Sequence, residues 1–379
     1  MSGRAWAPHV DPAALVEDDD LAALGATLRA ALAAYPGGER VRERADDPAI
    51  DEPAFDERAW RMLADELGLA GVAAPPDADG LGLGLAGATT CLVETGRALS
   101  GTPALGVLLA GLLLAESERL GAGSDEQWAE SRWTLPATCL DQSLAIEDAG
   151  ARVSGTLHHV FDLAGVDRLV VRAGTPDVPV LALVALDAAG LRDQRHRSLD
   201  LTRDYRTLHL DAVPARVLLR GEPARRAVTR LRTAAVAAVA ADQLGVADRA
   251  LDAVREYVGV REQFGRPIGS FQAIKHRVAD LLVAVERARA AVRAAAVAWD
   301  AGSDAPEADL AAAVAGLTAT EAALLATEEA VQLHGGIGFT WEHDAHLWYR
   351  RALDDEALQG GVRRCRARVV SATRAVVPA

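Results

Sequence analysis

The chain has 379 residues and a formal net charge of −14, and half of its residues are apolar while only 4% are aromatic. Its hydrophobic cores must therefore consist mainly of alanine, leucine and valine, a composition in which alanine and leucine favour helix. The acidic balance argues against a nucleic-acid binder, which needs a basic face to displace counterions from phosphates.

The cysteines and the apolar runs indicate where such a protein resides. Cys91, Cys139 and Cys365 are far apart and form no CxxC pair, which predicts reduced thiols and a cytoplasmic location. No secretory leader is apparent, and the longest apolar run, residues 104–115, is much shorter than the roughly 20 residues of a membrane span. We expect a soluble protein with no membrane partner and a buried helix at 104–115.

The predicted elements fall into three zones in chain order. A helical pattern covers about residues 14–131, short β-branched runs separated by Gly, Pro and Asp cover about 133–219, and long helices follow from 222. The predicted domains are therefore an N-terminal helical domain (1–132), a small middle β domain (133–221) and a C-terminal helical bundle (222–379). This order predicts an α+β protein, and no GxGxxG follows a strand as a Rossmann domain would require.

Two long C-terminal motifs identify a resemblance. The stretches "VREQFGRPIGSFQAIKHRVADL" (260–281) and "AVQLHGGIGFTWEHDAHLWYRRA" (330–352) closely resemble the acyl-CoA dehydrogenase family, and the likeness extends over nearly the whole chain. The resemblance implies that family's fold, with an α domain, a β domain and a C-terminal four-helix bundle.

The resemblance also implies FAD as the cofactor and assigns residues to it. Arg261 offers a planar fork suited to the pyrophosphate. Gln272 and Gln332 would bond the adenosine and the linker, and the backbone of Gly335 and Gly336 would approach an oxygen closely. Phe264, in the first motif, belongs to the same set. In this family these contacts reach the FAD of a neighbouring subunit, whereas the alternative is that Arg261 pairs with Glu256 or Glu262 and that the glycines only end a helix.

The middle domain departs from the family pattern. The family's Trp-Ile-Thr strand falls on His159, Val160 and Phe161, and Phe161 cannot donate a hydrogen bond to a flavin. His158 and His159 are adjacent and should point to opposite faces of a strand, which argues against a shared metal. Because His343 and His346 also lack an evident third ligand, no metal site is predicted.

The catalytic base is the second departure. A gap-free alignment from Gly335 places the family's base at Gln359. Some members carry the base at another position, which corresponds to Ala235 here. An amide and a methyl group cannot take the α-proton of an acyl-CoA. Asp242, two helical turns after Ala235, could replace the base, or it could bond a neighbouring helix or face solvent at the end of the bundle. Asp355 and Glu356 are expected to be solvated.

Three functional readings follow from this pattern. The sequences of the two motifs are most similar to those of the atypical subunits of actinobacterial α2β2 dehydrogenases that act on steroid side chains. The first reading is a subunit that contributes FAD contacts to a partner acting on an acyl-CoA thioester, with electron-transfer flavoprotein as acceptor. The second is a homo-oligomeric flavoenzyme of altered chemistry, and the third a flavin-free scaffold. The segment 198–211 is expected to form strand at the outer edge of the β domain.

Overall fold

The computed structural model describes residues 18–45, 55–121, 132–147, 151–302 and 306–376. Its N-terminal part is helical. The helices are α1 Asp19–Leu32, α2 Gly37–Ala45, α3 Glu57–Arg61, α4 Gly84–Arg97 and α5 Ala104–Arg119. A π-helical turn, Met62–Glu66, continues α3. The prediction of a buried helix at 104–115 is confirmed, because every side chain from Ala104 to Leu114 is buried.

A seven-stranded sheet occupies the middle of the described chain. The strands are β1 Trp133–Thr134, β2 Ala145–Glu147, β3 Arg152–Val160, β4 Arg168–Gly174, β5 Pro179–Ala185, β6 Leu191–His196 and β7 Tyr205–Arg220. Their order is β1-β4-β5-β7-β3-β2, and β6 pairs with β7. The long strand β7 connects the two halves, because its first half pairs with β3 and β6 and its second half with β5.

Long helices build the C-terminal part. They are α6 Glu222–Val260, α7 Gln272–Asp300, α8 Pro306–His334, α9 Ala345–Gln359 and α10 Gly361–Val376. A short hairpin, β8 Glu262–Gln263 and β9 Arg266–Pro267, connects α6 to α7. The helix α6 has 39 residues and is about 58 Å long at 1.5 Å per residue.

The helix α8 is the most apolar of these elements. In the described part of the chain, the stretch Pro306–Phe339 is long and apolar enough to cross a membrane by length and composition alone. However, 56% of its apolar window is buried inside the protein. Its alanine face packs between α6, α7 and α10. We therefore interpret it as the central helix of the bundle.

Two glycines join the N-terminal helices to the bundle. A Cβ atom on Gly96 of α4 would lie 2.4 Å from the carbonyl oxygen of Asp242, and one on Gly245 of α6 would lie 2.0 Å from that of Val93. Because no side chain fits at either position, the backbones of α4 and α6 touch. This contact fixes the N-terminal helices against the part of α6 that carries Asp242.

Candidate functional site

A large cleft lies between the β domain and the C-terminal helices. Its volume is about 1420 Å³, and strand residues of the sheet face residues of α6, α8, α9 and α10 across it. Ala235 and Gln359, the two positions that the sequence assigned to the base, both line this cleft. Their proximity accords with the alignment that assigned them.

Hydrogen bonds fix the side chain of Gln359 on both sides. Its Nε2 donates to the carbonyl oxygen of Val236 on α6 at 2.9 Å, and its Oε1 accepts from Nη1 of Arg368 on α10 at 3.2 Å. Gln359 is the last residue of α9, and Gly360 follows with φ +81° as a left-handed cap. The cap turns the chain into α10, and that turn brings Arg368 to the amide. No feature of the sequence indicates this role of Arg368.

The two adjacent histidines line the same cleft, so the prediction that they point to opposite faces is wrong. His158 and His159 are both exposed, and their ring centroids are 6.5 Å apart. The register of β3 shifts between Leu157 and Val160, and His159 has φ +54°. This bulge breaks the alternation of side chains that a regular strand would have. Across the described ranges, no group of three or more His, Cys, Asp or Glu residues could hold a metal ion.

Phe161 is fully buried beneath the cleft wall. Its ring packs 5.3 Å from that of Tyr205, and the guanidinium of Arg203 lies 5.4 Å from its centroid. The phenyl ring therefore fills space between the sheet and the loop before β7. It offers no hydrogen-bond donor at the position where the family pattern has threonine.

Behind the cleft lies a cluster of buried ionic side chains, which we call the charge junction. Its members are Asp200, Arg203, Asp242, Arg351, Asp354 and Asp355. They come from the loop before β7, from α6 and from α9. The junction therefore joins the β domain to two helices of the bundle, and it sets two guanidinium groups against four carboxyl groups.

The two arginines hold the carboxyl groups of this junction. Arg203 donates to Asp355 at 2.5 Å, to Asp354 at 2.8 Å and to Asp242 at 3.1 Å. Arg351 donates to Asp200 at 2.5 Å and to Asp242 at 3.0 Å. The expectation that Asp242 bonds a neighbouring helix is thus confirmed, since Arg351 belongs to α9. Asp242 is 3% exposed and is not part of the cleft wall.

Two sequence-based expectations about this region are wrong. Asp355 is fully buried rather than solvated, because it faces the junction between α9 and α6, while Glu356 is half-buried and accepts from the backbone of Val362. The beginning of the segment 198–211 is not at an outer edge either. It carries Asp200 and Arg203 into the junction, and both are nearly inaccessible to solvent.

The excess of carboxyl groups shifts their protonation. Burial raises the pKa of Asp355 well above its usual range, and the charge of Asp242 acts in the same direction. Burial also raises the pKa of Asp354, which accepts from the Tyr205 hydroxyl at 2.7 Å. Asp200 behaves oppositely, because the attraction of Arg351 and Arg203 outweighs burial and lowers its pKa. Asp354 and Asp355 therefore release their protons at a higher pH than exposed carboxyl groups do.

The residues assigned to FAD lie at the end of the bundle that is farther from the cleft. Arg261 follows the last residue of α6, Gln272 begins α7, and Gln332, Gly335 and Gly336 lie at the end of α8. These three helix ends adjoin, because the ring of Tyr257 on α6 lies 4.5 Å from that of His334 on α8, and α6 and α7 both contact the turn that precedes α7. All five assigned residues are exposed.

The space in front of these groups is open. A Cβ atom on Gly335 or Gly336 would meet no heavy atom within 4 Å, so a ligand oxygen could approach the backbone there. In the described part of the chain, Arg261 forms no salt bridge with Glu256 or Glu262. Glu256 faces Arg249 instead, at 3.8 Å. The guanidinium of Arg261 is therefore available to an anion.

Phe264 lies at the tip of the β8–β9 hairpin in a strained conformation. Phe264 and Gly265 have φ of +56° and +76°, which corresponds to a two-residue primed turn. Such turns favour asparagine and glycine, whereas the phenyl side chain here is 92% exposed. Exposure and strain at one aromatic residue indicate a contact surface that another molecule covers.

Apolar side chains surround the same bundle end. Val260, Phe339 and Trp341 are 77%, 82% and 47% exposed. Along α6, Arg261 comes 22 residues after Val239, the last α6 residue of the cleft wall, a separation of about 33 Å at 1.5 Å per residue. The bundle end and the cleft are therefore two separate sites of one chain. We call the exposed residues at 260–264 and 335–341, with Gln272 and Gln332, the bundle-end surface.

Comparison with family models and curated proteins gives a consistent result. Residues 225–368 match the model of the acyl-CoA dehydrogenase C-terminal domain. The acyl-CoA dehydrogenase IpdE2 of Mycolicibacterium smegmatis is 34% identical over 340 residues, which cover 88% of this chain and 92% of that protein. The similarity therefore includes the N-terminal helices and the sheet as well as the bundle.

Solved structures show the same architecture over almost the full length. One is a variant of the Tcur3481-Tcur3483 steroid ACAD, with 32% identity, a TM-score of 0.79 and coverage of 93% of this chain and 97% of that one. Another is the ChsE4-ChsE5 complex from Mycobacterium tuberculosis, with 28% identity and a TM-score of 0.82 over 96% of this chain and 100% of that one. Both of these relatives carry the names of two paired proteins.

Proposed function

The chain belongs to the acyl-CoA dehydrogenase family, and we propose that it is the partner subunit of a flavin-dependent acyl-CoA dehydrogenase. In this role it contributes FAD contacts to a second, homologous chain that carries the catalytic base. FAD, when bound, supplies the acceptor for the hydride that leaves the acyl-CoA thioester. The observation that carries the proposal is the separation of about 33 Å between the bundle-end surface and this chain's own cleft.

The residues of the bundle-end surface fit the polar half of FAD. Arg261 has no competing carboxylate in the described chain, Gln272 and Gln332 present exposed amides, and the backbone at Gly335 and Gly336 is open to approach. A guanidinium and side-chain amides are donors that a pyrophosphate and a polyol require, and the open glycine backbone allows such a ligand to approach closely. The exposed apolar residues beside them favour burial against another protein chain.

The cleft of this chain fits catalysis poorly. Gln359 and Ala235 provide no base, and Phe161 provides no hydroxyl for a flavin ring. Asp242 could act as a base only if it reached the substrate, yet it lies outside the cleft wall with Arg203 and Arg351 bound to it. These features favour a subunit that depends on a partner over a self-sufficient flavoenzyme.

The remaining elements of the proposal rest on the family and its named relatives, and the location rests on the sparse, unpaired cysteines. The substrate of the assembled enzyme is an acyl-CoA thioester of lipid or steroid catabolism, and the electron acceptor is electron-transfer flavoprotein. The assembly is a heterotetramer in the cytoplasm. A homo-oligomeric flavoenzyme and a flavin-free scaffold are the alternatives that the following experiment separates.

The test compares the visible absorbance of the chain alone with that of the chain co-expressed with a homologous subunit. We expect flavin absorbance only in the co-expressed complex. A yellow chain alone would support the homo-oligomeric enzyme, and two colourless preparations would support the scaffold. In the complex, Arg261→Ala removes a charge-assisted contact worth about 1.5–3 kcal/mol, so FAD affinity should fall roughly 10- to 150-fold.

A matched control is available on the same helix. Arg255 is 61% exposed, and its nearest carboxylate is that of Asp252 at 3.7 Å. Arg255 lies six residues before Arg261 and therefore projects from a different face of α6. Arg255→Ala should leave FAD occupancy unchanged. Full occupancy in Arg261→Ala, with only a small change in melting temperature, would contradict the proposed trans contact.

A further inference from the structure

The cleft of this chain contains arginines that no carboxylate of the described residues neutralises. Arg197, Arg364 and Arg368 belong to its wall, and none of them forms a salt bridge within the described ranges. The carboxyl groups of the same wall are engaged. Asp141 pairs with Arg232 at 2.9 Å, Asp309 accepts from the Thr233 hydroxyl, and Asp354 is held by Arg203 and Tyr205. The wall therefore carries a local excess of positive charge in an acidic protein.

One of these arginines lies beside Gln359, the position that the family pattern reserves for the base. Arg368 donates to Gln359 Oε1, while Gln359 Nε2 is occupied by the carbonyl oxygen of Val236. Each guanidinium has five N–H donors, and this bond uses one of them. A cation with free donors thus lies beside the position that holds a carboxylate base in a catalytic member. Its chemistry is that of an anion-binding group.

Apolar groups line part of the same cleft wall as this cation. Ala235, Val236 and Val239 of α6 and Ala312 of α8 line the adjoining wall, and a Cβ atom on Gly316 of α8 would lie 3.3 Å from Gln359 Oε1. Small side chains on both helices leave the volume of about 1420 Å³ open beside the guanidinium. A ligand that fits this environment has an apolar body and one acidic group at the end that reaches Arg368.

We propose that this cleft binds an apolar carboxylate, with the acid group held by Arg368 beside the Gln359 amide and the hydrocarbon against α6 and α8. The site needs neither FAD nor turnover, so it goes beyond the role of the chain as a partner subunit. Binding of a planar carboxylate by a guanidinium is strong because two N–H donors can act in parallel.

The experiment measures direct binding of two probes that share a ten-carbon chain, one with a carboxylate and the other with a neutral hydroxyl at its end. Radiolabelled decanoate and decan-1-ol are equilibrated by dialysis at neutral pH with the full-length chain, alone and in the co-expressed complex. We expect decanoate to bind with one site per chain and at least about 10-fold more tightly than decanol. Arg368→Met should reduce decanoate affinity by at least about 10-fold and change decanol affinity by less than about twofold.

The control variant lies two residues away on the same helix. Arg366 is exposed on another face of α10, where it pairs with Glu321 at 2.8 Å. Arg366→Met should change the affinity for neither probe. Arg368→Lys, which keeps the charge but loses the planar fork, should retain part of the decanoate affinity and guards against a folding defect in Arg368→Met.

Three results would overturn the proposal. Equal affinities for decanoate and decanol would show that charge is not recognised. If folded Arg368→Met no longer bound either probe, the cleft would have collapsed, and the result would not support an acid-binding group. Displacement of decanoate by free coenzyme A in an Arg368-dependent way would make the ligand group a phosphate. None of these results depends on flavin absorbance, so the partner-subunit proposal stands or fails separately with Arg261→Ala.

Discussion

Replacement of Asp355 by asparagine tests whether the charge junction holds a buried proton. The folded pKa of Asp355 lies well above its usual range because the carboxyl group is buried beside Asp242. The folded protein therefore keeps a proton that the unfolded chain releases above about pH 4. As pH rises toward the folded pKa, the free energy of unfolding should fall by about 1.4 kcal/mol per pH unit for each such proton.

Asparagine has the shape of the protonated carboxyl group and removes this titration. Its Oδ1 can still accept from Arg203, whose bond to Asp355 is 2.5 Å long. We expect the wild type to lose stability relative to Asp355→Asn as the pH rises from about 4 toward the folded pKa of Asp355. A stability change of 1 kcal/mol shifts the melting temperature by about 2–4 °C in chains of 150–250 residues. The difference in melting temperature between the wild type and Asp355→Asn should therefore change by a few degrees or less per pH unit.

Thermal unfolding in a series of buffers measures this difference. Asp187→Asn, at an exposed turn after β5, is the control and should follow the wild type at every pH. Parallel curves for the wild type and Asp355→Asn would refute the reasoning. A variant that is less stable by a constant amount would show instead that Asp355 is ionised and paired with Arg203.

Three further substitutions test other parts of the structure. Arg203→Met leaves Asp354 and Asp355 without an arginine partner and should lower the free energy of unfolding by about 3–5 kcal/mol, measured by urea denaturation. Phe264→Asn should relieve the strained turn and stabilise the isolated chain by up to about 1 kcal/mol, yet weaken its association with the partner in size-exclusion chromatography. Gln359→Glu should change the turnover of the assembled enzyme by less than about threefold, whereas a gain of orders of magnitude would place a competent active site in this chain.

The sequence predicted the architecture because its signals are local. Helix periodicity, β-branched runs and the punctuation by Gly and Pro depend on neighbours a few residues apart, and the long motifs at 260–281 and 330–352 added the family resemblance. The buried helix at 104–115 is an example, since an uninterrupted apolar run of that length has few alternatives in a globular protein.

The charge junction could not be predicted in the same way. Arg203 and Arg351 lie 39 and 109 residues from Asp242, and nothing in their immediate sequence distinguishes them from solvated arginines. A lone aspartate in an alanine-rich helix indicated that a partner was needed but not which one. The bulge at His159 escaped prediction for a related reason, because the strand pattern continues across it in sequence while the backbone does not.

Under the proposed function, the distribution of functional groups also explains how one chain can lack a base and still contribute to an enzyme. The bundle-end surface and the cleft lie at opposite ends of α6 and α8, and the two sites share no side chain. A substitution at Ala235 or Gln359 therefore leaves Arg261 and the glycine turn of α8 in place. The donors that would serve a neighbouring subunit's FAD depend only on where the bundle helices end, so the cleft can hold an arginine beside the position where catalysis would require a carboxylate.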